Sequence, residues 1–416
     1  MQLLITKPSC TMTLFKQRKC WRPTWMGWLI IIVLLLITGR LFLSLSVKFL
    51  AVNDPVNAKT LVIEGWVDTY VILDALDYYK NNGFERVIVT GIPITIYEFI
   101  APYRNTAEAS IYTLKYYGFT DTIYKANIPT NIFVDRTYGT GLMVKSLFDE
   151  HPEWEKEIDI YSVGVHSRRS RYLFKKALGN EFKVGIISHP DRNFQAETWW
   201  KSSKGFRNVS NEMLATPYAM LFFHPDQRFF EAKLKEGQWM DEITYSRQDK
   251  DIVFADSTLS PFSKEEWSDF HGFHYFEPDL LYRIWAEIKV DTSSPPFELA
   301  TNTSRRPIYR VYGKLAFTIH DTLCELTAYQ NMESIDHPDY GKLLFVPFRD
   351  RTNGIQSYEA GRYLDVPVPD SSHFMLDFND AYNPYCAYAQ RWSCPLVPFE
   401  NQLLVNIRAG EKKYKH

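Results

Sequence analysis

Apolar and polar positions alternate in blocks along residues 58–225, and these blocks predict strands followed by helices. The strands are expected where β-branched and other apolar residues run together, at residues 59–65, 85–91, 121–126, 158–165 and 182–188. Repeated strand–helix–strand units of this length indicate a parallel sheet with helices on both faces. The predicted fold of this part is therefore an α/β, Rossmann-like domain.

One of these units, residues 158–179, combines clear element boundaries with an unusual charge pattern. Ser167 stands where a helix N-cap is expected, and Gly179 stands where the helix should end. The first turn carries Arg168 and Arg169, although the positive end of the helix dipole favours acidic residues there. This arrangement predicts an anion-binding site. The alternative is that the arginines pair with Asp or Glu of the same domain.

Further candidate residues follow the strands at the edge where a parallel sheet binds ligands. Glu64 ends the first strand and His166 follows the fourth, so the two side chains are expected to converge as catalytic acid–base groups. The predicted ligand-binding residues are Asp135, Arg136, Thr137, Ser167, Arg168 and Arg169. Three alternatives stay open: Glu64 pairs with an arginine, His166 is a hydrogen-bonded structural residue, or Asp135 only caps the next helix.

The N-terminus combines a basic segment with an apolar one. Residues 1–24 carry five Lys or Arg and no acidic residue, and residues 25–47 are apolar apart from Arg40 and Ser or Thr. About 20 apolar residues suffice to cross a bilayer. The charge bias predicts a single-pass transmembrane helix in the inner membrane, with a cytoplasmic N-terminus and all later residues in the periplasm or otherwise outside the cytoplasm. A cleaved signal peptide is the alternative.

A change of pattern after about residue 235 indicates a second domain. Short β-branched segments separated by Pro and Gly predict a mainly antiparallel β domain at residues 247–416. Residues 226–246 are interpreted as a linker. Ser263 and Glu266 have the spacing of a capping box and predict one short helix.

Polar residues between the predicted strands of this domain form a second candidate site. Its members are Arg351, Glu359, Arg362, Asp377, Asn379 and Asn383. Asp377, Asn379 and Asp380 offer the oxygen ligands that calcium prefers, but the segment lacks the Gly and the distal Glu of an EF-hand loop. We therefore predict a hydrogen-bonded turn network and no metal. Gly354 is expected in a left-handed turn.

Cysteine usage and net charge narrow the functional classes. Cys386 and Cys394 are either a disulfide in an oxidising compartment or buried free thiols. The chain has no C-x-x-C motif, which excludes a zinc ribbon or a thioredoxin-type site. Its formal net charge of −2 argues against nucleic-acid binding through bulk electrostatics.

Three motifs of residues 58–225 together resemble the YdcF/SanA/ElyC-like family, also called domain of unknown function 218. They are Glu64-Gly65-Trp66, Asp135-Arg136-Thr137-Tyr138 and Val165-His166-Ser167-Arg168-Arg169-Ser170-Arg171. The resemblance implies a membrane anchor, a Rossmann-like sheet and a role in cell-envelope biogenesis. The turn after the first strand departs from the Gly-Gly pair of the family, so nucleotide binding at that turn is not implied.

The C-terminal residues 247–412 resemble a second family, domain of unknown function 1684. The resemblance lies in the blocks GFHYFEPDLLYRI, FVPFRDRTNGIQSYEAGRYLDV, LDFNDAYNPYCAY and CPLVPFENQLLVNIRAGEK. It implies a fusion of two extracytoplasmic modules and no particular reaction.

These observations lead to two hypotheses of function. In the first, a membrane-anchored envelope protein binds an anionic small molecule or lipid-linked sugar phosphate in its α/β domain, and transforms it if the protein is a hydrolase or transferase. In the second, the protein is a non-catalytic scaffold that binds a partner or a glycan. An open cavity at the carboxyl ends of the strands favours the first, and a filled cleft with Glu64 paired to arginines favours the second. The sequence identifies no cofactor.

Overall fold

The computed structural model describes residues 24–94, 103–291 and 293–414, apart from the side chain of Glu265. The chain divides into two compact units after Leu234. This division falls inside the segment interpreted as a linker, residues 226–246. The predicted cytoplasmic tail lies outside the described residues except for its last position.

The first unit contains a five-stranded parallel sheet, as the sequence predicts. Its strands are β1 (Thr60–Glu64), β2 (Arg86–Gly91), β3 (Ile123–Asn127), β4 (Glu157–Val163) and β5 (Lys183–His189). The strand order is β3-β2-β1-β4-β5. All five predicted strands are confirmed. The central strands β1, β2 and β4 are mostly apolar, and their residues are buried on both faces of the sheet.

Helices cover both faces of this sheet. The helices of the first unit are α1 (Trp25–Leu50), α2 (Thr69–Asn81), α3 (Thr106–Tyr116), α4 (Arg136–Glu150), α5 (Ser167–Leu178) and α6 (Ser203–Leu221). Val62 of β1 packs with residues of α4 and α5, whereas Leu61 and Ile63 pack with residues of α2 and α3. Successive residues of a strand point to opposite faces, so each face of the sheet has its own core.

The strand order places a topological switch point between β1 and β4. From β1 the chain moves outward to β2 and β3, and it then returns to the other side of β1 with β4 and β5. The connections that leave the carboxyl ends of β1 and β4 therefore diverge, and a crevice remains between them. Glu64 ends β1 and the 3-10 helix Gly164–His166 follows β4, so the predicted acid–base residues both lie at this crevice.

Helix α1 is long and apolar enough to cross a membrane, a property that signal sequences share. It has 26 residues, and most of its surface is exposed. Its last turns nevertheless pack on the unit, where Val47 and Leu50 are buried against Trp199. Arg40, the charge that interrupts the apolar run, lies over the ring of Trp200 at 5.3 Å from the ring centroid.

The second unit contains a seven-stranded antiparallel sheet, which confirms the predicted β domain. Its strands are β6 (Arg283–Val290), β7 (Phe297–Glu298), β8 (Ile308–Ile319), β9 (Thr322–Asn331), β10 (Leu343–Phe348), β11 (Arg362–Pro367) and β12 (His373–Asp377). The strand order is β11-β10-β9-β8-β6-β12, and β7 pairs with β8. Gly354, between β10 and β11, adopts the predicted left-handed conformation with φ of 79°.

Two α-helices precede this sheet. They are α7 (Gln227–Ala255) and α8 (Lys264–Ser268). The start of α8 confirms the predicted capping box between Ser263 and Glu266. Helix α7 covers nearly all of residues 226–246, the segment interpreted as a linker, for which no secondary structure was predicted. The helix contains one glycine and no proline, and its abundance of Glu, Lys, Arg and Gln favours a helix even without a single apolar stripe.

Candidate functional site

A cavity of about 700 Å³ lies at the carboxyl edge of the parallel sheet. The predicted site residues that line it are Glu64, Asp135, Arg136, Thr137, His166 and Arg169. Apolar side chains form part of the wall, among them Leu173 of α5 and Tyr218 of α6. A largely apolar cavity with a few converging polar groups is the usual form of a small-molecule site.

Glu64 lines this cavity although only 2% of its surface is exposed. Its Oε1 accepts a hydrogen bond of 2.8 Å from the hydroxyl of Ser170 on α5. Its Oε2 has no hydrogen-bond partner among the described residues. Glycine is required at the next position, because a Cβ at Gly65 would lie 2.3 Å from the carbonyl oxygen of Thr90. The turn after β1 thus places a buried carboxylate, with one oxygen unused, at the crevice.

His166 places one ring nitrogen close to this carboxylate. Its Nε2 lies 3.9 Å from Oε1 of Glu64 and has no hydrogen-bond partner in the part of the chain that the structure describes. The indole ring of Trp66 packs edge-to-face against the imidazole, with 4.7 Å between the ring centroids. Buried polar atoms are normally hydrogen-bonded. Two that lack described partners, Glu64 Oε2 and His166 Nε2, therefore mark this part of the cavity.

Glu212 of α6 joins Glu64 and His166, and these three side chains are called the acid–base group below. No sequence pattern indicated Glu212. Its Oε1 lies 2.8 Å from Nδ1 of His166, and Arg169 donates to the same carboxylate through Nε and Nη2, each at 2.8 Å. Burial opposes the ionisation of Glu212, but the hydrogen bonds from Arg169 and His166 prevail and lower its pKa to about 2. The alternative that an arginine pairs with an acidic residue of the same domain is therefore confirmed for Arg169.

Two groups lie within hydrogen-bonding distance of Nδ1 of His166, and the anion of Glu212 favours the tautomer that carries its proton on this nitrogen. Arginine can only donate hydrogen bonds, so Nη2 of Arg169, 3.0 Å from Nδ1, cannot accept the proton of that nitrogen. The Glu212 carboxylate accepts this proton, and Nε2 is left to exchange a proton with a group in the cavity. A histidine oriented in this way by a carboxylate is suited to general acid–base catalysis.

Asp135 precedes α4 in a left-handed backbone conformation, with φ of 54°. It occupies the N-cap position, but its side chain accepts no capping hydrogen bond, so capping alone does not explain this residue. Burial raises the pKa of its carboxyl group above the usual value. Non-glycine residues at positive φ are uncommon and are concentrated at functional sites.

Arg136 begins α4 and is the exposed cation of the cavity. No described residue forms an ion pair with its guanidinium group, in contrast to Arg169. Thr137 follows it on the cavity wall, and the side chain of the N-cap residue Asp135 makes no hydrogen bond to the backbone N–H groups of this first helical turn. Free N–H groups at a helix start together with a guanidinium group provide the donors that bind an anion.

Arg168 lies outside the cavity, in contrast to the sequence prediction. Its Nε donates to the carbonyl oxygen of Phe49, and its guanidinium carbon lies 4.2 Å from the centroid of the Phe49 ring. This carbonyl belongs to the last turn of α1, where the helix dipole favours a cation. Arg168 therefore connects α5 to α1 and does not contribute to the wall of this cavity.

Ser167 is also placed differently from the prediction. It is the first residue of α5 rather than its N-cap, and it is fully buried. Its hydroxyl group lies 2.6 Å from the carbonyl oxygen of Gly164 and 2.7 Å from the hydroxyl of Ser188. The preceding 3-10 helix shifts the helix boundary, so this hydroxyl stabilises the turn and does not face the cavity. Gly179 ends the helix as predicted, with φ of 86°.

The predicted site of the second unit does not form around Arg362. This residue is completely buried, pairs with Asp350 at 2.8 Å and donates to the carbonyl oxygen of Ile407 at 2.8 Å. Arg351 and Glu359, by contrast, are exposed. Arg362 therefore holds chain segments together inside the β domain and is inaccessible to a ligand.

The other three residues of that predicted site lie at the end of β12 and in the segment that follows it. The backbone N–H of Asn379 donates to Asp377 Oδ1 at 2.9 Å, and the Asn379 amide makes two hydrogen bonds of 2.9 Å to the backbone of Asp279. The Asn383 amide donates to the carbonyl oxygen of Lys412 at 2.8 Å. The predicted hydrogen-bonded turn network is confirmed for Asp377 and Asn379.

Cys386 and Cys394 are close in space as free thiols. The backbone N–H of Cys386 donates to the sulfur of Cys394 at 3.2 Å. Their disulfide stays a prediction.

Comparisons with known proteins concern the second part of the chain. Residues 268–412 match the model of a family described as protein of unknown function (DUF1684). A solution NMR structure of an uncharacterised protein from Haloarcula marismortui is 36% identical; the match covers 43% of this chain and 96% of that protein, with a TM-score of 0.35. The search of curated proteins found no significant match to the chain. The C-terminal part of the chain, residues 268–412, is therefore similar to the DUF1684 family.

Proposed function

We propose that the first unit binds a small molecule bearing a phosphate or carboxylate group, and that His166 transfers a proton to or from it. The observation that carries the proposal is the pair of buried atoms without described partners, Glu64 Oε2 and His166 Nε2, on one cavity. A buried polar atom without a hydrogen bond costs about 1–3 kcal/mol. Two such atoms on neighbouring side chains of one cavity favour a site built for a ligand over a purely structural arrangement.

The anionic group of the ligand binds, in this proposal, at the start of α4. Arg136 supplies an unneutralised guanidinium group, and Thr137 and the first backbone N–H groups supply further donors. Arg169 contributes less charge because Glu212 neutralises it. Glu64 and Asp135 also line the cavity, so a single small anionic group suits the site better than a polyanion.

The arrangement around His166 favours a catalytic function over the scaffold alternative. The scaffold alternative predicts a filled cleft in which Glu64 is paired to arginines, whereas Glu64 bonds to Ser170 and lies near His166 in an open cavity. Proton transfer by a positioned histidine serves both hydrolases and transferases that act on phosphate-containing substrates. The proposed enzyme class is therefore a hydrolase or transferase.

We also propose that α1 anchors the protein in the inner membrane, with both units outside the cytoplasm and a role in envelope biogenesis. A cleaved signal peptide would lose the helix whose last turn packs on the first unit through Val47 and Leu50. It would also remove the carbonyl of Phe49 that Arg168 binds. The motif resemblance to the YdcF/SanA/ElyC-like family supports the envelope role.

A topology experiment tests the anchor. Alkaline phosphatase fused after residue 60 is expected to be active in bacterial cells, because the basic N-terminal segment keeps residues 1–24 in the cytoplasm. Green fluorescent protein exported to the same place is expected to stay dark. The opposite pair of results would place both units in the cytoplasm and remove the anchor orientation.

The anion site is tested by substituting Arg136 in the full chain, purified in detergent. Arg136→Gln is expected to weaken the binding of inorganic phosphate or methyl phosphate about ten-fold or more, because hydrogen bonds to charged groups contribute about 1.5–3 kcal/mol. The thermal shift at a fixed phosphate concentration reports the change, since a ligand stabilises only the folded state that binds it.

The matched control is Lys175→Gln, which removes one exposed positive charge on α5 away from the cavity. It is expected to leave the phosphate response unchanged. Equal loss in both variants would mean that net charge, and not the start of α4, attracts the anion.

A further inference from the structure

A second cavity of about 270 Å³ lies on the other side of His166. Trp66 and His166 line both cavities, so the two spaces meet at these two rings. Besides Glu212, which also reaches this cavity, six further polar residues line it: Asp68, Asp191, Asn193, Lys204, Asn208 and Asn211. None of them is part of the acid–base group or of the proposed anion site.

Asp191 is held in one orientation by neighbouring amides. Its Oδ1 accepts hydrogen bonds from the backbone N–H and the side-chain amide of Asn193, at 2.8 and 2.7 Å. Its Oδ2 accepts one from the Asn208 amide at 3.3 Å. Both carboxylate oxygens are thus engaged and offer little to a metal ion. Among the described residues none donates to the carbonyl oxygens of these two Asn side chains, so both can act as acceptors.

The rest of the lining offers both donors and acceptors. No described residue hydrogen-bonds the exposed amide of Asn211. Asp68 receives one hydrogen bond, from Asn193 to its Oδ2 at 3.3 Å, and its other oxygen is free of described partners. Amides that both donate and accept match hydroxyl groups, which do the same. The carboxylates of Asp68, Asp191 and Glu212 outnumber the single lysine of the lining, Lys204, and disfavour a second anion here. The lining therefore suits a neutral ligand rich in hydroxyl groups.

Trp66 adds an apolar surface at the junction, with 38% of its surface exposed. The carbon–hydrogen face of a sugar ring packs against such an aromatic surface, while its hydroxyl groups bond to the surrounding amides. One water molecule occupies about 30 Å³ in the liquid, so the second cavity has the volume of about nine water molecules. This volume is enough for a single monosaccharide.

We infer that the two cavities hold one ligand, a sugar phosphate. The sugar lies in the second cavity, the phosphate lies in the first beside Arg136, and the ester oxygen that joins them lies near His166. This inference rests on the proposed function, because the anion site of the first cavity fixes where the phosphate is bound. The substrate class is then a sugar phosphate. The asparagine-lined second cavity distinguishes sugar phosphates from other phosphates.

The test compares methyl phosphate with the 1-phosphates of glucose, mannose and N-acetylglucosamine, by calorimetry on the full chain in detergent. At least one sugar phosphate is expected to bind ten-fold or more tightly than methyl phosphate. Asn211→Leu is expected to abolish this preference and to leave the affinity for methyl phosphate unchanged, since Asn211 is exposed and lines only the second cavity. The control Asn180→Leu changes an exposed asparagine elsewhere and should leave both affinities intact.

The outcomes separate the two proposals. Equal affinity for methyl phosphate and all three sugar phosphates would overturn the inference about the second cavity and leave the anion site standing. A preference for a sugar phosphate that persists in Asn211→Leu would also overturn it. Absence of binding for every probe would overturn the anion site and the sugar inference together.

Discussion

Replacing Arg362 by methionine is expected to lower the free energy of unfolding of the β-rich unit by about 3–5 kcal/mol. The guanidinium group and its partner Asp350 have no exposed side-chain surface, so the substitution would leave an unpaired carboxylate in the interior. It would also remove the hydrogen bonds that the guanidinium group donates to the carbonyl oxygens of Ile407 and Ala409. Hydrogen exchange of peptides from β10 and β11 measures the loss as a faster exchange rate.

Arg408→Met is the matched control, because Arg408 is exposed on a neighbouring segment. A surface substitution of this kind usually changes stability by no more than about 0.5 kcal/mol. If Arg362→Met proved as harmless as Arg408→Met, the buried pair would not be what holds these segments of the β domain together.

Glu212→Gln is expected to make the stability of the first unit less dependent on pH. The pKa of Glu212 is about 2 in the folded protein, below the ordinary value of 4.5. A carboxylate with a lowered pKa stabilises the folded state fully above the unfolded value, and this contribution is lost as the pH falls through the folded value. With roughly 1.4 kcal/mol per pKa unit, the contribution at neutral pH is about 3 kcal/mol.

Urea unfolding at pH values from 7 down to 3, followed by hydrogen exchange in α5 and α6, measures this contribution. The difference between wild type and Glu212→Gln should be about 3 kcal/mol at pH 7 and should narrow below about pH 4.5. Glu150→Gln removes an exposed carboxylate of the same unit and serves as the control. A difference that stays constant across this range would contradict the role given to the ionised Glu212.

The sequence was sufficient to bring Glu64 and His166 together. Both follow strands with clear apolar patterns, and the carboxyl ends of parallel strands share one edge whatever the details of packing. The same reasoning located Arg136, because a βα connection precedes α4. These successes rest on local patterns whose geometry is nearly invariant.

Glu212 and Arg168 show where such reasoning fails. Glu212 is 46 residues from His166 in the chain, and their contact depends on how α6 packs beside α5. The partner of Arg168 is a backbone carbonyl of α1, and any residue type could supply that group. For residues 226–246 only a domain boundary was predicted and no helix, since their polar composition resembles that of a linker although the residues favour a helix.

The junction between α1 and the first unit has a consequence for how a ligand arrives. The Trp199 indole N–H donates to the carbonyl oxygen of Leu43 at 2.9 Å, and Arg168 binds the carbonyl of Phe49, so the helix and the unit are fastened at two points. If α1 spans a bilayer as proposed, the cavity would not swivel as it would on a flexible tether, and it would stay at one height above the lipids. A lipid-linked ligand would then meet it by lateral diffusion, and its rate of capture would follow the surface density of that ligand in the leaflet rather than any bulk concentration.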